Sequence, residues 1–435
     1  MNTRMKTEMM FVRSTKPHYH EAELEIILVL KGEINVHKIE RKITLKEGQF
    51  TFVNRRIVHY ITSSGAYILS TKIRLDQFRE CFERIEYVEF MSIDEQTELN
   101  RPLKQRHNAI VIDSLIKDYL LRDLPSQAQE KIFNEKQLVS FLFISYQLTS
   151  NVKKDDEYLN HEMTARYYQI VEYISKHIHE KITTEDILQE VYMNSTYFSQ
   201  FMKKVGGVGF KEFISYRKII LINILLLNES YTLTEIADLV DISDMKTFYL
   251  NFRKYFKTSP AKWREALMRI EDDWQTIDNR SILDDFIIRY HINRHRENSM
   301  SKYYRFVSKC RENGISLKDT EIMINPYEER LERSDKDYQA YKYSGALFNL
   351  IKVMDAKLVL AYPVKALDDA DEEELTIQSL KYFSITHGIN EMKKWRILFQ
   401  AGNAHELEYA RRLEQRIYQE VGGLNIKIVM ALADV

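Results

Sequence analysis

Thr232-Leu233-Thr234-Glu235-Ile236-Ala237-Asp238-Leu239-Val240, the turn Asp241-Ile242-Ser243-Asp244, and Met245-Lys246-Thr247-Phe248-Tyr249-Leu250-Asn251-Phe252-Arg253-Lys254-Tyr255-Phe256 decide the fold of the middle third. The stretch opens with a Thr-x-x-Glu capping box, in which the two end residues satisfy each other's free backbone N–H groups. Ile236, Ala237 and Val240 then fall on one helical face, and after the turn Phe248 and Phe252 form the inward stripe of a second helix. Ser259-Pro260 starts a third, with Ser as N-cap and Pro at the first helical position. Two short helices around a tight polar turn, the second one basic on its outside, are a helix-turn-helix pattern.

The same grammar occurs upstream. Thr183-Thr184-Glu185-Asp186 is a capping box with Asp in place of Glu, and Ile187 and Val191 follow on one face. The turn Met193-Asn194 leads to Ser195-Thr196-Tyr197-Phe198-Ser199-Gln200-Phe201-Met202-Lys203-Lys204, with Asn194 as N-cap. Phe198, Phe201 and Met202 point inward, and Gly206 or Gly207 ends the helix. Between the units, Phe210 to Asn228 reads as one long amphipathic helix carrying Phe213, Ile214, Ile219, Ile220, Ile224 and Leu227. Such a connector fixes the separation of two recognition helices, which must lie ~34 Å apart to enter successive major grooves. Seven short helices are expected from Arg166 to about Ile270.

The outward residues suit nucleic acid. Thr196, Tyr197 and Gln200 on the first recognition helix, and Lys246, Thr247 and Leu250 on the second, point away from the apolar stripes. Gln offers adenine a bidentate amide, Lys reaches guanine, and Leu touches only a thymine methyl. Ser199, Lys203, Lys204, Tyr249, Arg253, Lys254 and Lys257 flank them as phosphate contacts, which add affinity without sequence information. From Met245 to Arg269 the bases Lys246, Arg253, Lys254, Lys257, Lys262, Arg264 and Arg269 face a single acid, Glu265. The whole-chain net charge of −1 hides this patch. The plainer alternative is a helical protein whose cations solvate an outer face. Two units with caps, aromatic interiors and basic outer turns weigh against it.

Residues 166–269 resemble the DNA-binding domain of the AraC/XylS family, above all in Leu233-Thr234-Glu235-Ile236-Ala237 and in Phe248 through Arg264. The resemblance implies a cytoplasmic, non-enzymatic transcription activator that binds double-stranded promoter DNA and RNA polymerase, responds to a small-molecule effector and forms a homodimer. Three positions depart from the family pattern: Asp241 stands where Gly is usual, Asn251 where an apolar residue is usual, and Leu250 where a long basic residue is frequent. Leu250 leaves the second unit mainly with phosphate contacts.

Towards the N-terminus, apolar runs at 24–30, 33–39, 42–45 and 50–53 are separated by Lys31-Gly32, Glu40-Arg41 and Glu47-Gly48. Short strands at this spacing indicate a small β-sandwich or barrel within residues 1–100. His18, His20, Glu25, Gly32, Gly48 and His59 are similar to a cupin signature, although the usual Pro before the second glycine is missing. His18, His20, Glu25 and His59 are suitable ligands for Zn²⁺, Fe²⁺ or Mn²⁺. The competing reading, which the resemblance to AraC-type sensory domains implies, is that these four residues serve effector binding with neither metal nor cofactor.

The rest of the chain is read more coarsely. Apolar stripes at Ile112, Leu115, Ile116, Tyr119 and Leu120, and at Leu138, Phe141, Leu142 and Tyr146, make residues 101–150 a helical dimerisation segment. The charged run Ser150 to Glu157 places a linker at 151–165, ahead of the DNA-binding domain at 166–270. The chain then reads as helical to Cys310. Apolar runs at 357–362, 395–399 and 426–430, with helical segments between them, indicate βα alternation in an α/β domain over 271–435. Gly388 to Gln400 resembles a strand of β-xylosidase barrels, so an alternative is a carbohydrate-active enzyme with an appended DNA-binding domain. Retaining hydrolysis requires two carboxylates ~5 Å apart, and none follows this strand; a catalytically dead partial barrel is the expectation. Asp368 to Glu374 reads as a solvated loop and helix start, and Gly206-Gly207-Val208-Gly209 lacks the Lys-Ser/Thr of a phosphate loop. Two distant cysteines, Cys81 and Cys310, exclude a disulfide framework, and the most apolar stretch, Ile219 to Leu227, is too short for the ~20 residues of a membrane span.

Overall fold

The computed structural model describes residues 4–39, 41–91, 101–147, 157–294, 299–317, 321–324, 357–364, 370–387 and 392–430. It divides into two compact units, residues 1–108 with 138–278 and residues 109–137 with 279–435.

The first unit contains an antiparallel sheet of β1 (Met5–Ser14), β2 (Glu23–Lys31), β3 (Glu33–Lys38), β4 (Arg41–Lys46), β5 (Phe50–Val53), β6 (Tyr60–Arg74) and β7 (Asp273–Ile277). Its order is β4-β3-β6-β1-β7, with β2 pairing both β5 and β6. The fifteen-residue β6 spans the whole domain, pairing β1, β2 and β3 along its length. Val12, Ile27, Val29, Ile34, Val36, Val53, Ile61 and Ile68 fill the interior. The runs read from sequence coincide with β2 to β5.

Two strands were not expected in full. β1 begins at Met5 rather than near Phe11, and β7 lies where the chain was read as helical. Four of the five residues of β7 are exposed, so it carries no apolar alternation to reveal it. Main-chain pairing with β1 holds it, from Met9↔Ile277 to Ser14↔Asp273. Just before it, Ser14 Oγ donates to the Glu271 carbonyl (2.6 Å) and Lys16 N–H to Asp272 Oδ1 (2.7 Å).

The helical part comprises α3 (Glu157–His177), α4 (Thr184–Val191), α5 (Ser195–Val205), α6 (Phe210–Leu225), α7 (Leu233–Leu239), α8 (Met245–Phe256) and α9 (Pro260–Met268), seven helices as read. α3 starts at Glu157, inside the segment taken as linker. The i,i+4 pair of Glu162 with Arg166 (2.9 Å) supports its first turns. Residues 148–156 lie outside the described residues. Both capping boxes are formed, Thr183 with Asp186 and Thr232 with Glu235. Asn194, Asp244 and Ser259 cap α5, α8 and α9 through their side chains. Gly206 is required for closeness: a Cβ there would stand 2.9 Å from the Tyr167 ring of α3 and from the Met202 carbonyl.

α1 (Arg101–Leu121) and α2 (Ala128–Tyr146) occupy the expected helical segment, and residues 109–137 group with the C-terminal region. In that second unit Lys117 pairs with Glu130 (3.0 Å) and Lys131 with Asp118 (2.9 Å), all four largely buried. α10 (Arg280–Arg294) and α11 (Ser299–Glu312) precede a parallel sheet of β8 (Glu321–Ile324), β9 (Lys357–Pro363), β10 (Arg396–Ala401) and β11 (Ile426–Met430). Neighbouring strands are consecutive in sequence, with α12 (Ala370–His387) between β9 and β10 and α13 (Ala404–Glu420) between β10 and β11. The alternation read from the apolar runs is therefore present. The end of the acidic run lies in the first turn of α12, where Glu373 and Glu374 pair with Arg416 of α13 (2.6 and 2.5 Å). Residues 365–369 and 388–391 lie outside the described residues.

Each helix-turn-helix turns on a left-handed non-glycine residue, nine positions after its N-cap (183 to 192, 232 to 241): Tyr192 at φ 52 and Asp241 at φ 51. Lys218 of α6 holds Asp241 by both its carbonyl (3.2 Å) and its carboxylate (3.3 Å). Tyr192 is 93% exposed, so burial does little to offset its left-handed backbone. Tyr192→Gly should stabilise the first unit by about 1 kcal/mol; hydrogen exchange of the α4–α5 amides is then roughly fivefold slower, whereas faster exchange contradicts this account.

Candidate nucleic-acid interface and ligand cluster

The inward sides of both recognition helices are apolar and buried: Phe198, Phe201, Met202 and Val205 on α5, and Phe248, Phe252, Tyr255 and Phe256 on α8. The opposite sides are open. Thr196, Tyr197, Ser199, Gln200, Lys203 and Lys204 are all exposed, as are Lys246, Thr247, Leu250, Arg253, Lys254 and Lys257. Tyr249 differs from that expectation: it is half-buried, its ring edge-on to Phe248. It packs against the apolar core behind α8 instead of standing free.

Local contacts grade the cations. Lys254 Nζ lies 3.0 Å from Glu212 of α6, so a phosphate must compete with a carboxylate for it. Lys257 donates to the Lys254 carbonyl (2.6 Å) at the left-handed C-cap of α8. Thr247 Oγ1 donates to Asp244 Oδ2 (2.6 Å), which ties one readout position to the helix cap. Leu250, 60% exposed, presents a bare apolar side chain. Asn251 is half-buried, beside Phe252 of the inward stripe. One exposed residue was missed from sequence: Tyr192 stands in the turn before α5. The signal was available in the equal spacing of the two units, which sets Tyr192 against Asp241.

Within the β-domain, His18, His20, Glu25 and His59 do converge, each offering a ligand atom within 4.8 Å of the others. Glu25 comes from β2, and His18 and His59 form an isolated antiparallel bridge outside the strands. Glu25 Oε2 lies 3.1 Å from His20 Nε2 and 2.9 Å from His59 Nε2, while Ser70 Oγ donates to Oε1. Ser70 sits diagonally across the β2–β6 pair, opposite Ile27, on the same face as Glu25. Backbone carbonyls orient two of the rings: His18 Nδ1 donates to Lys16 (2.8 Å) and His59 Nδ1 to Ile57 (3.1 Å). Each of these two rings therefore keeps Nε2 for a ligand.

Electrostatics matches that use. Burial pushes the His18 imidazole down to about 4, and neighbouring His59 adds to the effect, so this ring is neutral at pH 7. Burial pushes the Glu25 carboxyl up, but hydrogen bonds from His20 and His59 outweigh it and hold the group well below the usual carboxylate range. His59 has an acceptor at each ring nitrogen, the Ile57 carbonyl and the Glu25 carboxylate, and only an imidazolium donates to both. A divalent cation would take the place of the proton between His59 Nε2 and Glu25 Oε2. Three imidazoles and one carboxylate fit Zn²⁺, Mn²⁺ or Fe²⁺. Four convergent ligand atoms can hold such an ion, and the same residues also form a protein hydrogen-bond network with Ser70.

Comparison with known proteins gives two family models. Residues 187–266 match a helix-turn-helix domain and residues 9–70 a cupin domain. The transcriptional regulatory protein HptR of Staphylococcus aureus is 31% identical over 120 residues, covering 27% of this chain and 44% of HptR. The regulatory protein PocR of Salmonella typhimurium is 26% identical over 95 residues, 22% of this chain and 31% of PocR. The chain thus spans less than half the length of these relatives. Among solved structures, ToxT from Vibrio cholerae O395 is 12% identical, with 61% of this chain and 98% of that chain covered at a TM-score of 0.33. The DNA-binding domain of AdpA in complex with a target DNA is 21% identical, with 23% and 90% covered at a TM-score of 0.22. Among the described residues no helix is long and apolar enough to cross a membrane.

The cluster makes a direct prediction. The full-length chain should take up one Mn²⁺ or Zn²⁺ and melt at a higher temperature with it. His59→Ala should abolish uptake, and Ser70→Ala should weaken it ten- to a hundredfold, since Ser70 only positions the carboxylate. Titration calorimetry with elemental analysis reads all three, and an unaltered melting temperature with no uptake by the native chain contradicts the assignment.

Proposed function

We propose that this chain, which carries an AraC-type helix-turn-helix domain and a cupin domain, is a sequence-specific transcription regulator whose α5 and α8 enter successive major grooves of promoter DNA. One observation carries the reading: two capped recognition helices bury their aromatic sides and leave Gln200 and Lys246 among exposed cations. α5 reads bases through Thr196, Tyr197 and Gln200. α8 contributes mainly backbone contacts, because Leu250 offers only an apolar surface. The protein acts in the cytoplasm as a homodimer that engages RNA polymerase, and it is not an enzyme. The C-terminal α/β region serves sensing or association.

The cupin domain supplies the control. A divalent metal held by His18, His20, Glu25 and His59 is the effector or its anchor. Lys16, whose carbonyl accepts a hydrogen bond from His18 Nδ1, donates its N–H to Asp272 Oδ1. Asp272 directly precedes β7, the strand that follows α9. Ligand-driven ordering of His18 thus acts on the main chain that holds the end of the DNA-binding domain.

Two substitutions test the readout. Gln200→Ala should relax base preference at its position by ~1–3 kcal/mol, read as the loss of discrimination among single-base variants of a selected site. Lys203→Ala should weaken all sequences alike and lower the slope of log K against log salt by about 0.9. Equal, salt-insensitive binding by both variants counts against the proposal.

A further inference from the structure

The β3–β4 hairpin faces the C-terminal end of α8 and the start of α9 across a cleft of 420 Å³. The hairpin is seated firmly there, because Ile39 at its turn is buried in the same apolar cluster as Phe248, Phe252 and Phe256. The cleft has two kinds of surface. Tyr60, Phe256 and Trp263 supply flat aromatic walls: Tyr60 stacks on His37 with centroids 4.3 Å apart and planes 6° from parallel, and the Phe256 and Trp263 rings lie 4.8 Å apart. Arg41 and Lys42 from the hairpin and Lys257 from the end of α8 supply positive charge, and no described lining residue is acidic.

We propose that this cleft binds an organic anion with a flat aromatic ring, the ring lying against Tyr60 and Trp263 and its carboxylate or phosphate facing Arg41, Lys42 and Lys257. Aromatic faces reward ring burial and stacking, and basic side chains give an anion charge-assisted hydrogen bonds. The volume suits a ligand of one or two fused rings. The site is separate from the histidine cluster in its residues and in its chemistry. Its regulatory meaning rests on the transcription-regulator reading: a ligand there joins the cupin hairpin to the end of the second recognition helix.

Titration calorimetry of the full-length chain with 1-naphthoate tests the proposal, with neutral 1-naphthamide and inorganic phosphate as controls. Saturable binding of naphthoate at least tenfold tighter than either control is expected. Lys42→Glu, an exposed position, should weaken it at least tenfold while the melting temperature stays unchanged; Arg41→Glu should act in the same direction. Equal affinity for naphthoate and naphthamide, or unaltered naphthoate binding by both variants, overturns the proposal. So does the absence of naphthoate binding together with weaker DNA binding by Lys42→Glu, which assigns the cations to the DNA backbone. DNA retention by the native chain is measured alongside: if it fails while naphthoate binds, the regulator reading falls and the cleft stands.

Discussion

The structure of the first unit depends on the antiparallel pairing of β7 with β1. β7 is an edge strand that follows the last helix of the DNA-binding domain, and it closes the cupin sheet from outside. The pairing needs only main-chain hydrogen bonds, so it places few demands on side chains and tolerates an almost fully exposed strand. Two ion pairs tie the helices separately to the segment that follows β6: Arg217 of α6 with Glu89 (2.6 Å), and Arg84 with Glu172 of α3 (2.8 Å). The first is largely buried on both sides, so its value lies in fixing geometry more than in adding stability. α6 is also the connector between the two helix-turn-helix units. The element between the two helix-turn-helix units is therefore also one of those tied to the segment that follows β6.

That anchoring explains why the ligand cluster stands where it does. His18 lies four residues after the end of β1 and two after Lys16, whose N–H donates to Asp272, and Glu25 lies on β2 facing Ser70 of β6. A cupin sheet gathers its ligands from several strands, so occupancy changes the relation of strands to one another. Here β7, which follows the helix-turn-helix domain, supplies none of the four and reaches the cluster only through its pairing with β1. The second unit is built on other principles, a parallel sheet with consecutive strand order and a buried ionic network between α1 and α2.

Legibility in the sequence followed the physical origin of each feature. Caps and inward aromatics are local, so α4, α5, α7, α8 and α9 could be read from Thr183, Asn194, Thr232 and Ser259. Strands β2 to β5 alternate and were legible too. β7 was not, because its residues Asp273-Trp274-Gln275-Thr276-Ile277 are almost all exposed and only a partner 260 residues away makes them a strand. The start of α3 was hidden by charge: Glu157 ends a polar run that reads as a linker, and the i,i+4 pair that supports the helix, Glu162 with Arg166, lies beyond that run. The four residues of the cluster were recognisable from their types and spacing, but their partners were not. Ser70 and the Lys16 and Ile57 carbonyls reach the site only through strand register and loop conformation. The left-handed Asp241 was noticed as a departure from Gly, while its support by Lys218 required the fold.

The central claim is that two outward helix faces address one side of a duplex together. Methylation-interference footprinting of the full-length chain on a site selected from random DNA measures this most directly. The account predicts two clusters of major-groove interference on one face of the duplex, centred about 10 base pairs apart, with the stronger base dependence under α5. A single cluster, or two on opposite faces of the helix, would contradict it.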